Sequence, residues 1–145
     1  MFTRAQLLEV FDQGTSAPLP WTLKERSPED FESASSEESL VVAIFSDARD
    51  VSKPFWIQFV KGSAWNGDKQ LLRFVLEQAL CEPMTEQEFR MASEITHGPV
   101  RWPIAIILPT TGFLWAMRMY DEWDEQAYLA RFEDALVAVY WSTSA

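Results

Sequence analysis

The sequence predicts an α+β fold: a single domain over residues 1–145, its helices covering a largely antiparallel four-stranded sheet. Three observations predict it. Two capping boxes open helices, Thr3-Arg4-Ala5-Gln6 and Thr85-Glu86-Gln87-Glu88. Apolar, β-branched or aromatic runs of strand length come in pairs, near 40–46 with 55–61 and near 104–108 with 113–120. No linker-like stretch divides the chain. The expected order is α-β-β-α-α-β-β-α.

Taken in order, the first helix presents Leu7, Val10 and Phe11 at helical spacing, and Gly14 supplies a left-handed stop. "TSAPLPW" is extended, because Pro18 and Pro20 restrict their neighbours away from helix. Ser27-Pro28-Glu29-Asp30 has the form of a short capped helix, and "ESASSEES" that of a polar loop. Leu40 to Phe45 is the first strand. Phe55 to Val60 reads as the second, with Phe55, Ile57 and Phe59 on its buried face. Asn66-Gly67-Asp68 turns the chain and caps a helix whose apolar positions include Leu71, Leu72, Val75, Leu76, Ala79 and Leu80. Pro83 stops it.

Thr85 opens the next helix, with Phe89, Ala92 and Ile95 inward. Ile104 to Leu108 is the third strand, and "PTTG" turns into the fourth, Phe113 to Tyr120, which buries Phe113, Trp115 and Met117. The last helix is expected from about Asp124 to about Tyr140, with a stripe of Leu129, Phe132, Leu136 and Val139.

The 145 residues carry 22 acids against 12 bases, a net charge of −10. Such a field repels phosphate backbones and anionic lipid, and it attracts basic proteins and cationic ligands. Nucleic-acid and membrane-surface binding are disfavoured. With one cysteine and one histidine, an internal disulfide and the usual four-ligand Cys/His zinc sites are excluded. No cofactor motif and no metal-binding motif occurs. The first residues lack a continuous apolar region, and the longest charge-free apolar run, Pro103 to Met117, falls short of a membrane span. A cytoplasmic location is the expectation.

Catalytic chemistry finds little support. Cys81 ends an apolar helix beside Glu82, where the thiolate is disfavoured, so it reads as a small buried hydrophobe. His97 sits in a loop before Gly98-Pro99 with no nucleophile paired to it. The sequence therefore does not read as an enzyme.

Two acidic segments remain. "YDEWDEQ" gathers Asp121, Glu122, Asp124 and Glu125 around Trp123. Its structural reading is a helix start, with Asp121 or Asp124 as N-cap and acids at the positive end of the dipole. Its functional reading is an acidic lip around an exposed aromatic anchor. The second segment runs from Glu29 and Asp30 to Glu37 and Glu38 and contains no base. Trp21, Trp65 and Trp102 fall in apparent loops, and loop tryptophans beside acids match the make-up of interface hot spots.

The expected function is therefore a small acidic protein-binding module. In its most concrete form it is a bacterial immunity or inhibitor protein that docks on a basic toxin or enzyme and blocks it. The alternatives are a small-molecule-binding domain or subunit of a larger assembly, and a hydrolase or transferase using Asp47, Asp50 or the Asp121–Glu125 carboxylates.

Overall fold

The Thr3 hydroxyl accepts from the Gln6 backbone N–H at 3.2 Å, and the Gln6 side chain accepts from the Thr3 N–H at 2.9 Å. This reciprocal capping box starts α1 (Arg4–Asp12), as the sequence predicts. The computed structural model describes residues 1–14, 17–26, 38–64, 68–93 and 108–143. Among them the order is α1, β1 (Thr22–Arg26), β2 (Glu38–Phe45), α2 (Ser52–Ala64), α3 (Lys69–Glu77), β3 (Glu82–Met84), α4 (Glu86–Ser93), β4 (Phe113–Glu122), β5 (Glu125–Phe132) and β6 (Ala135–Thr143).

The α+β class stands, but the four-stranded sheet and its element order do not. The strands form one six-stranded sheet in the order β1-β2-β6-β5-β4-β3. Every neighbouring pair is antiparallel. The expected strand over 104–108 and the short helix after Ser27 lie almost wholly outside the described residues.

Two elements change type. Residues 55–60 are helical, inside α2. Phe55, Trp56, Phe59 and Val60 are buried at i, i+1, i+4 and i+5, which is one helical face, while Ile57 is half-buried. Pro54 falls in the first turn, where a missing N–H costs no intrahelical bond. The aromatic and β-branched content that suggested a strand reflects burial against the sheet.

The expected helix over 124–140 is instead the β5–β6 hairpin. Its apolar run has no polar alternation because this sheet is covered on both faces, whereas antiparallel sheets commonly leave one face to water. One cluster holds Leu7 and Phe11 of α1, Phe55 and Trp56 of α2, and Leu72 and Leu76 of α3 against Phe45, Met117, Leu129, Leu136 and Ala138. The other holds Met84, Phe89 and Ala92 against Leu40, Val42, Tyr128, Phe132, Val137, Val139 and Trp141. A continuous apolar run of this kind fits helix or buried strand equally by period.

The other helices start where the sequence places them. Asp68 caps α3 by accepting from the N–H groups of Gln70 and Leu71, and Thr85 and Glu88 close the second capping box. Arg73 of α3 reaches Asp12 at 2.9 Å and also pairs with Glu77, tying α1 to α3. No helix among the described residues is long and apolar enough to cross a membrane.

Strand β4 departs from a regular ladder twice. Leu114 and Met119 have no opposite residue in β5, so each makes a bulge. The second bulge lets consecutive residues, Met119 and Tyr120, both face the α1–α3 layer. The Leu80 N–H donates to the Met119 carbonyl at 2.8 Å and so anchors the bulge.

Candidate functional site: the β4–β5 turn and the polar row beneath it

"YDEWDEQ" caps no helix. It is the connection between β4 and β5, with Glu122 paired to Glu125 and only Trp123 and Asp124 between them. Turns this short favour residues with positive φ, most often Asn-Gly or Asp-Gly. Cys81 is the only non-glycine residue with positive φ among those described, so this turn is not of that mirror-image kind. The Asp124 carbonyl accepts from the Thr143 N–H at 2.9 Å, which fastens the turn to β6.

The side chains divide sharply. Trp123 is 72% exposed, and Asp121 and Glu122 are also exposed. Asp124 and Glu125 are half-buried. The strand pairings place Ser39, Ser142, Glu125 and Glu122 in one row across β2, β6, β5 and β4. Val41, Tyr140, Ala127 and Tyr120 form the next row inward. Side-chain alternation turns both rows toward the α1–α3 layer. Ser39 Oγ and Ser142 Oγ are 2.8 Å apart.

Glu125 is the focus of this row. Burial pushes its carboxyl above the ordinary range, the charges of Asp124 and Glu122 push it further, and the Tyr140 hydroxyl opposes them. Burial, then Glu125, pushes the Tyr140 phenol up. Tyr120 is pushed up by the same causes in the same order, and its hydroxyl donates to the Val75 carbonyl at 2.9 Å. Both phenols therefore stay protonated at neutral pH, as hydrogen-bond donors. Trp56 Nε1 is buried without a hydrogen bond of normal geometry, and its ring lies 6.1 Å from that of Tyr120.

The remaining candidates separate. Glu38 is buried and accepts from Trp141 Nε1 at 3.2 Å, so it serves the second core cluster. Trp21 is half-buried and packs edge-on against Phe55 at 5.6 Å. Glu29, Asp30, Glu37, Trp65 and Trp102 lie outside the described residues, as does His97. Cys81 is partly buried in the α1–α3 cluster, and burial pushes its thiol up to about 11, which disfavours the thiolate.

No family model, curated protein or solved structure matches this chain. The turn must be read from its own chemistry. It offers an exposed indole inside a fixed patch of negative charge. Among the described residues no group of three or more His, Cys, Asp or Glu side chains is placed to hold a metal ion. Sequence reasoning found the acids and Trp123 but missed Tyr120, Tyr140, Ser39 and Ser142. The alternation of Glu125 with Ala127, and of Tyr140 with Ser142, was the available signal.

Proposed function

We propose that this protein is a cytoplasmic binding module that docks a basic protein through the β4–β5 turn, most concretely as an inhibitor or immunity protein covering a basic active site. One observation carries the reading: Trp123 stands 72% exposed at the tip of a hairpin whose flanking residues, Asp121, Glu122 and Asp124, are all acidic. An exposed indole on a short turn loses little entropy when it is buried by a partner, and aromatic anchors dominate interface energetics. The net charge of −10 supplies long-range attraction to a positive surface.

The hairpin also keeps an unfavourable feature. Like charges directly opposite in a ladder weaken it, yet Glu122 faces Glu125. A basic partner would relieve that repulsion on docking.

The test is a pull-down against the products of neighbouring genes, followed by binding kinetics at two salt concentrations. Asp121→Asn with Glu122→Gln should slow association and flatten its salt dependence, because the charges steer the encounter. Trp123→Ala should instead speed dissociation. Unchanged kinetics in both variants would remove the turn from the interface.

A further inference from the structure

We infer that Arg131, at the end of the sheet opposite the Trp123 turn, binds a small oxyanion. Arg131 sits on β5 between Leu136 of β6 and Trp115 of β4. It is only 7% exposed, and its Nη1 is buried with no hydrogen-bond partner. No salt bridge among the described residues reaches it. The planar fork of N–H donors on a guanidinium matches carboxylate and phosphate oxygens.

The surroundings add positive charge above it. Phe55 of α2 stacks on Phe45 at 6.1 Å, and Phe45 is the register neighbour of Leu136. Lys53 lies over the Phe2 ring at 5.9 Å, and Phe2 packs edge-on against Trp115 at 6.4 Å. These ring contacts link the first turn of α2, which contains no acid, to the strands on either side of the Arg131 rung. The positive end of the helix and the Lys53 ammonium both favour an anion there.

The two acids of the β2–α2 connection are already engaged. Asp47 accepts from the Arg49 backbone N–H at 2.8 Å and pairs with its guanidinium at 2.7 Å. Asp50 accepts from the Ser52 hydroxyl at 3.1 Å. Asp47 feels the Arg131 charge through space, but no hydrogen bond or salt bridge among the described residues joins Arg131 to either acid, and its Nη1 is left to a ligand. The pairing of Asp47 with Arg49 also offsets part of the repulsion an incoming anion would meet.

The experiment titrates the whole chain with inorganic phosphate and, separately, with acetate, at ionic strength held constant by sodium chloride. The thermal midpoint and the Arg131 side-chain Nε–H resonance are followed together. At least one oxyanion should raise the midpoint saturably and shift the resonance, as a ligand of the folded state does. Arg131→Met should abolish the response, and Lys53→Met should weaken affinity roughly tenfold, the loss of one charge-assisted contact. A response to phosphate alone assigns a phosphoryl ligand, and a response to acetate alone assigns a carboxylate. No saturable response to either anion, or an equal response in Arg131→Met, overturns the site. Should Arg131→Met not fold, Lys53→Met and the resonance decide, and unchanged affinity with an unmoved signal overturns it.

Discussion

Glu122 and Glu125 face each other directly across the last rung of the β4–β5 hairpin. Replacing Glu122 with Thr removes the like-charge pair and adds a residue that suits a strand. The variant should gain about 0.2–1 kcal/mol of stability in urea unfolding. Its association with a basic partner should be slower. A variant no more stable than the parent would show that the opposed carboxylates store no repulsion.

Trp123 leads to the opposite expectation. Its ring is mostly in water, so Trp123→Ala should change unfolding free energy by no more than about 0.5 kcal/mol. In the complex the same change should cost about 2 kcal/mol or more, a hot-spot loss that appears as faster dissociation. Surface plasmon resonance and urea titration on one preparation separate the two effects. A large stability loss would mean that the indole supports the hairpin itself.

Glu125 should give a distinctive pH dependence. Its carboxyl is raised above the ordinary 4.5, first by burial and then by Asp124 and Glu122. The folded state therefore holds this proton more tightly than the unfolded state does. The stability it contributes is fully present below 4.5 and is lost as pH rises through the raised folded value. Glu125→Gln should match the parent near pH 4 and become the more stable protein as pH approaches 7. Thermal midpoints across that range measure it, and a parallel offset at every pH would exclude titration of Glu125 as the cause.

Gln58 tests the helical assignment of α2. Its side-chain N–H group donates to the Ala17 carbonyl at 2.9 Å, and its side-chain oxygen accepts from the Leu19 N–H at 2.9 Å. One amide thus clamps the extended segment before β1. Gln58→Leu should cost about 1–3 kcal/mol and should speed hydrogen exchange at the Leu19 amide. Exchange unchanged at Leu19 would mean that the clamp is absent in solution.

The elements that the sequence determined by itself are those with a chemical signal at their ends. Thr3 with Gln6, Asp68, and Thr85 with Glu88 start helices through hydrogen bonds within one turn, and short-range bonds are written in neighbouring residues. The α+β class, the strands at 40–45 and 113–120, and the acidic, Trp-bearing character of residues 121–125 were legible from apolar runs and composition, which are also local. Only the tertiary structure decided that 55–60 is helical and that 124–140 is a hairpin. The second cluster of core residues buries the face of β5 and β6 that would otherwise be polar, which erases the alternation that marks a strand. The turns Trp123-Asp124 and Glu133-Asp134 carry no glycine or asparagine to announce them. Strand pairing then brought Tyr140 and Ser142 beside Glu125 and left Arg131 buried between Trp115 and Leu136 with its Nη1 unpaired. Those contacts join residues far apart in the chain, and they exist only once both faces of the sheet are packed.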